Sequence, residues 1–229
     1  MLKILQPILA ILLAAWVFRQ VRKPTGWLGK RMLRAMNLSH AAMTEWGLQN
    51  LAVPAEAAIL DIGCGGGATV RRLAALASGG KVVGLDYSAA SIAVSRNTNA
   101  REIEAGRVQF LLGSVTHLPF SDGAFDVVTA VETHYYWPDL PVNLREILRV
   151  LKPGGTLTLI AETYRGGPFR LLYGMVMPLL GAAFLSDAEH QDVLRQGGFI
   201  EVATRHRSGR NWILATGRKA IDPWSIVPR

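Results

Sequence analysis

Short apolar runs alternate with longer stretches of helical periodicity over most of the chain after residue 57. Apolar runs bounded by glycine and polar residues predict buried strands, and strands that alternate with helices predict a parallel α/β sheet. The predicted strands are Ala58–Ile62, Lys81–Leu85, Val108–Leu112, Phe125–Ala130, Thr156–Ala161, Phe199–Arg205 and Trp212–Gly217. The predicted helices are Thr69–Ala77, Ala89–Ala105, Val142–Val150 and Asp187–Gln196.

The last two predicted strands are joined by Ser208-Gly209-Arg210, a connection short enough to suit an antiparallel pair. The earlier strands are separated by segments long enough for the crossover helices that parallel pairing needs. We therefore predict an α/β fold with a seven-stranded, mostly parallel sheet, an antiparallel C-terminal edge and helices on both faces.

The first 24 residues have a different pattern. The segment from Leu2 to Phe18 is apolar except at Lys3, Gln6 and Pro7. At about 1.5 Å per helical residue, this length barely crosses a hydrocarbon core of about 30 Å. The chain has a net charge of +8, and many of its basic residues come directly after this segment. They are Arg19, Arg22, Lys23, Lys30, Arg31 and Arg34.

A basic run beside an apolar segment is typical of attraction to anionic lipid head groups. We therefore predict that residues 1–24 form a hydrophobic membrane anchor with a basic flank, whose partner is a membrane surface or bilayer. The positive charge after the segment predicts that the following domain faces the cytoplasm. Residues 25–50 are then an N-terminal helical cap, residues 51–220 the main domain and residues 221–229 a tail. The alternatives are a first segment packed on the domain, a signal peptide and a disordered segment.

The number and spacing of the cysteine and histidine residues limit the possible disulfides and metal sites. The chain has one cysteine, Cys64, and five scattered histidines. A single cysteine forms no internal disulfide, and the histidines lack the spacing of metal ligands. We therefore predict a reducing compartment and no metal. Because the basic cluster lies outside the main domain, we also expect no nucleic-acid partner.

The first candidate for chemistry is the turn that ends the first predicted strand, Asp61-Ile62-Gly63-Cys64-Gly65-Gly66-Gly67. Glycines are needed where a ligand lies against the backbone, because a β-carbon would fill that space. The spacing also matches the dinucleotide-binding pattern G-x-G-x-x-G/A. Asp86 ends the next strand, where a carboxylate accepts hydrogen bonds from ribose hydroxyls. The turn by itself therefore leaves a nicotinamide cofactor open.

Further features favour a different cofactor. Asp61 precedes the first glycine by two residues, where it would attract an amino group and repel a pyrophosphate. The motifs D-I-G-C-G-G-G, G-L-D-Y-S, L-P-F-x-D-x-x-F-D-V-V and V-L-K-P-G-G follow in this order between about Asn37 and Gly217. In this combination the chain resembles the class I S-adenosylmethionine-dependent methyltransferases, specifically the small-molecule branch that includes ubiquinone/menaquinone-type enzymes.

The resemblance implies a Rossmann-like domain with S-adenosylmethionine as cofactor. It also implies that the first-strand turn surrounds the methionine portion of this cofactor, with Asp61 near its amino group. The turn residues concerned are Asp61, Gly63, Cys64, Gly65 and Gly67.

The resemblance further implies that Asp86 binds the ribose hydroxyls and that Tyr87 and Ser88 lie on the adenine side. Ser114 and Val115 follow the third strand, where the family usually has an acidic residue that contacts the adenine amine. Ser114 departs from that pattern, although its hydroxyl can still accept a hydrogen bond.

The fourth strand ends at Glu132-Thr133-His134, where the transferred methyl group should meet its acceptor. Glu132 and Thr133 are candidates for contact with the sulfonium end of the cofactor. His134 is the candidate catalytic base, because the ordinary pKa of histidine lies near neutrality. The alternative is that His134 only lines the pocket or packs beneath the loop, since methyl transfer needs mainly in-line placement.

The segment at 168–186 is apolar and carries no charge after Arg170. We predict that it covers the active site, because a surface rich in methionine and leucine suits an adaptable apolar pocket or contact with lipid. The expected substrate is an apolar small molecule or membrane-dissolved acceptor, methylated by direct in-line transfer. A non-catalytic S-adenosylmethionine-binding scaffold and a nicotinamide-dependent oxidoreductase are the alternatives.

Overall fold

The computed structural model describes residues 20–221 of the 229-residue chain, and seven strands in this part form one sheet. The strands are β1 (Ala58–Ile62), β2 (Lys81–Asp86), β3 (Val108–Leu112), β4 (Phe125–Val131), β5 (Leu151–Ala161), β6 (Ile200–His206) and β7 (Ile213–Arg218). Their order is β3-β2-β1-β4-β5-β7-β6. The first five strands pair in parallel, whereas β7 runs antiparallel to both β5 and β6. The predicted sheet is confirmed.

The main helices of this part are α1 (Gly26–Ser39), α2 (Ala41–Leu48), α3 (Ala68–Leu76), α4 (Ala89–Thr98), α5 (Ala100–Glu104), α6 (Leu140–Val150), α7 (Arg170–Leu179) and α8 (Asp187–Gln196), with a 3₁₀ turn at His134–Tyr136. Helices cover both faces of the sheet. Leu60 and Ile62 pack in the cluster that contains residues of α6 and α8. Ile59, which points to the other face, packs with residues of α2, α3 and α4.

The segment predicted as one helix at Ala89–Ala105 forms two helices, because Asn99 leaves the helical conformation between α4 and α5. The Nδ2 atom of Asn99 donates hydrogen bonds of 2.9 Å to the carbonyl oxygens of Gly67 and Ser95. An asparagine side chain can compete in this way with the backbone hydrogen bonds of a helix. The break therefore fixes α4 against the glycine-rich turn after β1.

Strand β5 begins at Leu151, five residues before the predicted start at Thr156. Gly154 donates its N–H to the carbonyl of Lys219 at 3.0 Å, and the carbonyl of Gly155 accepts from Lys219 N at 2.9 Å. Gly154 has a φ of 78°, which glycine adopts at little cost. Residues 151–155 therefore form the irregular first part of the strand.

Helices α1 and α2 lie in the predicted N-terminal cap, and α2 is built into the main core. Met43 and Leu48 are buried, and they share one apolar cluster with Ile160 of β5. A β-carbon on Gly47 would overlap Cδ1 of Ile160, so glycine permits the close approach of α2 to the sheet. The predicted boundary at residue 51 therefore divides residues that share one core.

The predicted membrane anchor lies outside the described residues up to position 19, as does the tail from position 222. Among residues 20–221, no helix combines the length and the apolar character needed to cross a bilayer. The anchor therefore stays a prediction.

Candidate active site

A cavity of about 240 Å³ lies at the carboxyl ends of β1, β2 and β4. Strand β1 stands between the other two, and the strand order reverses there. Ligands of open α/β sheets bind at such a switch point, because the loops diverge and leave a crevice. Nine predicted site residues line the cavity: Gly63, Cys64, Gly65, Asp86, Tyr87, Ser114, Val115, Glu132 and Thr133.

The glycine turn presents its backbone to the cavity. Gly63 and Gly65 have φ values of 73° and 52° in the left-handed region. A β-carbon on Gly63 would lie 2.6 Å from the side chain of Thr133, whereas one on Gly65 would have no neighbour closer than 3.8 Å. Gly63 thus allows the turn to pack on the loop after β4, and Gly65 leaves open space for a ligand.

Asp86 is held at the end of β2 by two backbone donors. Gly65 N donates to its Oδ2 at 2.9 Å, and Ser88 N donates to its Oδ1 at 2.8 Å. Burial raises the pKa of this carboxyl, although the two hydrogen bonds oppose the shift. Each oxygen keeps a second lone pair, so the carboxylate can accept hydrogen bonds from ribose hydroxyls.

Asp61 lies behind the turn, with its side chain only 1% exposed, and does not line the cavity. The hydroxyl of Thr129 donates a hydrogen bond of 2.6 Å to its Oδ1. Burial raises the pKa of Asp61 to about 7. The expected interaction with a ligand amino group therefore has to pass through the backbone of the turn or a water molecule.

Two other predicted contacts also lie away from the cavity lining. Ser88 caps the N-terminus of α4 and donates its hydroxyl to the carbonyl of Pro24 at 2.7 Å. Gly67 lies against α4, where a β-carbon would be 2.6 Å from Asn99 Nδ2 and 2.7 Å from Ser95 Cβ. Both residues shape the site from outside instead of contacting a ligand.

The structure places His134 beneath the loop, 1% exposed and outside the cavity lining. Its Nε2 lies 3.1 Å from Nε2 of His190, whose Nδ1 is 2.9 Å from the carbonyl of Ser186. That carbonyl requires a proton on Nδ1 of His190, so its Nε2 accepts and His134 donates. Burial holds the pKa of His134 well below its ordinary value. This placement argues against the predicted catalytic role and favours the alternative of packing under the loop.

The other lining residues form an aromatic and polar wall. Thr133 accepts a 3.0 Å hydrogen bond from Nε1 of Trp137, which also lines the cavity. Tyr87 donates its hydroxyl to the carbonyl of Arg22. Burial raises the pKa of the Cys64 thiol well above its ordinary value, so this cysteine is a poor nucleophile at neutral pH.

The N-terminal part of the described chain closes the cavity, which the sequence did not predict. The lining from this part comprises Val21, Arg22, Pro24, Leu33, Met36, Asn37, His40 and Thr44. Asn37 Nδ2 donates to the carbonyl of Gly66 at 3.0 Å, so α1 is bound to the glycine turn. Polar side chains on α1 were the only signal in the sequence for this role.

The predicted cover at 168–186 contributes no residue to the cavity lining. It packs instead on the loop after β4, where Ala183 N donates to the carbonyl of Tyr135 at 2.8 Å. Met177 is buried in a cluster with Tyr135 and Tyr164. An apolar run predicts burial or contact but not the partner, so the role of this segment as a cover stays a prediction.

A histidine and two carboxylates meet at one end of the cavity. Nε2 of His40 lies 3.5 Å from Oε1 of Glu162, and ligand atoms of His40, Glu132 and Glu162 lie within 4.8 Å of one another. Burial lowers the pKa of His40, but the hydrogen bond to Glu162 and the charge of Glu132 outweigh it, so the pKa lies above its ordinary value. Burial raises the pKa of Glu132.

Glu132 is fixed in an unusual conformation, with a φ of 58°. Its Oε1 accepts a hydrogen bond of 2.5 Å from Glu162 N, and its Oε2 accepts one of 2.7 Å from the hydroxyl of Tyr135. These two hydrogen bonds hold the Glu132 carboxylate in place at this end of the cavity.

These residues fit S-adenosylmethionine. Gly65 leaves open space against the backbone, and the Asp86 carboxylate faces the cavity from the end of β2. The carboxylates of Glu132 and Glu162 at the far end suit a positively charged sulfonium. The fold and the site together define a Rossmann-like enzyme that binds a nucleoside cofactor at the switch point of its sheet.

Comparisons with known proteins identify the family. A family model described as a methyltransferase domain matches residues 60–159. The demethylmenaquinone methyltransferase of Lactococcus lactis subsp. lactis (strain IL1403) is 31% identical over 174 residues, which cover 66% of this chain and 69% of that protein. The demethylmenaquinone methyltransferase of Lactiplantibacillus plantarum (strain ATCC BAA-793 / NCIMB 8826 / WCFS1) is 32% identical over 170 residues, with 70% and 69% covered.

The fold is similar to that of a methyltransferase solved in complex with the Haloferax volcanii Trm112 methyltransferase activator. The TM-score is 0.75 at 22% identity, over 85% of this chain and 96% of that chain. The chain therefore belongs to the class I S-adenosylmethionine-dependent methyltransferases. It is a small-molecule methyltransferase, and S-adenosylmethionine is its cofactor.

Proposed function

We propose that this enzyme methylates a lipophilic small molecule that it takes up at a membrane surface. When bound, S-adenosylmethionine supplies a methyl group on a positively charged sulfur. The acceptor named for the two bacterial relatives, demethylmenaquinone, is itself lipophilic. The observation that carries the proposal is an exposed apolar stripe on α7.

The stripe consists of Leu171, Met175 and Leu179, which are 77%, 65% and 73% exposed. Residues four positions apart lie above one another on a helix, so these three side chains form one continuous face. On the opposite side of α7, Met177 is buried against Tyr135. Single exposed apolar residues are ordinary, but a continuous apolar face is typical of an interaction surface.

We assign an anionic bilayer to this face because of what lies next to it. Arg22 Nη2 donates to the carbonyl of Tyr136 at 3.4 Å, and Tyr136 packs in the same cluster as Met177 of α7. A β-carbon on Gly181, which follows α7, would lie 3.5 Å from Nη1 of Arg22. Arg22 therefore lies beside the C-terminal end of α7, where the stripe ends at Leu179. In the sequence, the apolar segment at 2–18 directly precedes these basic residues. Apolar contact and positive charge together favour anionic lipid.

The mouth of the cavity suits an apolar acceptor. Val21, Met36, Tyr136, Trp137 and Pro138 supply apolar and aromatic lining, which removes water from the acceptor when it binds. The hydrogen bond from the Trp137 ring to Thr133 fixes one wall. These residues orient the acceptor for in-line transfer and exclude water, which are the main requirements of the reaction.

The test compares one acceptor in two environments. The full chain and the variant Leu171→Ser/Met175→Ser/Leu179→Ser are assayed with a long-chain hydroquinone, dissolved either in phosphatidylcholine/phosphatidylglycerol vesicles or in detergent micelles. The apparent KM of the variant should rise at least about tenfold for vesicles and stay unchanged for micelles. Leu76→Ser, at a 45% exposed position on α3, is the matched control and should behave as the wild type.

Flotation of the wild-type chain with the same vesicles supplies the second measurement. We expect the protein to be recovered in the lipid fraction, and to be recovered there in smaller amount when phosphatidylglycerol is omitted. A wild-type chain that stays unbound, or a triple variant with equal KM changes in vesicles and micelles, would contradict the proposal.

A further inference from the structure

His40 stands where a proton acceptor for the reaction is needed. It joins the end of α1 to the start of α2, and its backbone N–H donates to the carbonyl of Met36 at 3.0 Å. The residue lines the cavity together with Glu132. Its side chain is 21% exposed, so an acceptor or solvent can reach the imidazole. His134, by contrast, is buried and bonded to His190.

We infer that His40 is the catalytic base that removes a proton from the acceptor, and that the acceptor is therefore a weakly acidic hydroxyl compound. This inference rests on the proposed function. A neutral amine attacks without losing a proton first, and a thiol ionises partly by itself near neutral pH. A phenolic hydroxyl, with an ordinary pKa near about 10, gains most from a base.

The groups around His40 stabilise the protonated form of its imidazole. The carboxylates of Glu162 and Glu132 face it, and a positive imidazolium there neutralises one of two negative charges. The phenol groups of Tyr135 and Tyr173 lie near the same two carboxylates. They are neutral at physiological pH and leave this charge balance unchanged.

Two arginines line the cavity at other points. Arg72 is paired with Glu45 at 3.6 Å, and Arg22 contacts the carbonyl of Tyr136. Neither arginine pairs with the carboxylate that holds His40.

The geometry also selects the basic atom. Neutral His40 with its proton on Nε2 donates that proton toward Glu162 Oε1, which leaves a lone pair on Nδ1. In the reaction, the O–H bond of the acceptor breaks and its proton passes to Nδ1. The electron pair left on oxygen forms the bond to the methyl carbon. The bond between that carbon and sulfur breaks, and its electron pair stays on the sulfur. Glu162 is a positioning residue that holds the imidazole and stabilises its protonated form.

The test uses the full chain with 1-naphthol and 1-naphthalenethiol in detergent micelles. His40→Gln should lower kcat for the naphthol at least about a hundredfold, in the range typical of a lost general base, and kcat for the thiol far less. Its dissociation constant for S-adenosylhomocysteine should stay within about twofold of the wild-type value, because the cofactor-binding residues Gly65 and Asp86 are unchanged. The loss with naphthol should shrink as pH rises. An equal loss with both acceptors, or no loss, would overturn the inference.

His206→Gln is the matched control. His206 is also paired with a carboxylate, 2.6 Å from Asp187, but it lies outside the cavity lining. This variant should keep wild-type turnover with both acceptors.

A measurement without turnover separates this inference from the proposed function. In the apo protein, NMR titration of the His40 imidazole should give a pKa above that of free histidine, and Glu162→Gln should lower it. A His40 pKa at or below the free value, or one that Glu162→Gln leaves unchanged, overturns the inference whatever acceptor is used. If the wild type methylates neither compound, the proposed acceptor class fails, and the titration still shows whether Glu162 positions His40.

Discussion

Asp61 provides a quantitative test of how the site is built. The carboxyl group is buried behind the glycine turn, and its pKa rises from an ordinary value of 3.8 to about 7. Asp61→Asn removes the ionisable group and keeps an oxygen that can accept the hydrogen bond from Thr129. The variant therefore isolates the cost of holding a carboxylate in this position.

The magnitude follows from proton linkage. Between pH 3.8 and about 7, the folded protein retains a proton that the unfolded chain has already released, so the free energy of unfolding falls as pH rises. Each pH unit within that window costs about 1.4 kcal/mol. From about pH 5 to about pH 8, the loss due to Asp61 amounts to about 2.5 kcal/mol. The asparagine side chain of the variant does not titrate and has no such loss.

Urea unfolding of both proteins at about pH 5, 6, 7 and 8 measures this loss. The unfolding free energy of the wild type, relative to Asp61→Asn, should fall by about 2.5 kcal/mol over the range. Asp126→Asn is the control. Burial raises the pKa of Asp126, but the hydrogen bond from Lys152 outweighs it and the pKa lies below 3.8. Its variant should therefore parallel the wild type. A constant difference between wild type and Asp61→Asn would refute the reasoning.

Two further predictions concern the buried histidines and the glycine turn. Burial lowers the pKa of His134 and His190, so at acid pH the unfolded chain binds more protons than the folded protein. As the pH drops below about 6.5, the free energy of unfolding therefore decreases, by up to about 1.4 kcal/mol per pH unit for each imidazole. In urea unfolding between about pH 7.5 and 5.5, the unfolding free energy of His134→Gln should depend less on pH than that of the wild type. An unchanged pH dependence would contradict the assignment of His134 and His190 as buried, neutral imidazoles. Gly63→Ala should cost about 3 kcal/mol, because backbone strain adds to the clash with Thr133. Gly65→Ala should cost only about 1 kcal/mol in urea unfolding but weaken S-adenosylhomocysteine binding in calorimetric titration; equal effects of the two substitutions would contradict the assignment.

The cofactor end of the site could be predicted from the sequence because it depends on adjacent parallel strands. The glycine turn follows β1 and Asp86 ends β2, and the two strands pair in register from Ala58 with Lys81. Their carboxyl ends therefore meet at one edge of the sheet. The periodicity that located the strands was sufficient to bring Gly65 and Asp86 together.

The acceptor end depends on contacts that local patterns do not contain. His40 reaches Glu162 across more than a hundred residues, and the helices that place it carry no motif. His134 stood at the expected strand end, but the partner that draws it inward, His190, is 56 residues away. Sequence position identified the correct loop, and tertiary packing decided which side chains face the cavity.

Calorimetric titration of the full chain with S-adenosylhomocysteine tests the central claim, that the cavity lined by Gly65 and Asp86 holds the cofactor. We expect one binding site per chain for S-adenosylhomocysteine and no heat with NAD. Asp86→Asn should bind S-adenosylhomocysteine at least about tenfold more weakly, because weakening of charge-assisted hydrogen bonds to the ribose costs more than about 1.4 kcal/mol. Failure to bind S-adenosylhomocysteine, or binding that Asp86→Asn leaves unchanged, would contradict the account.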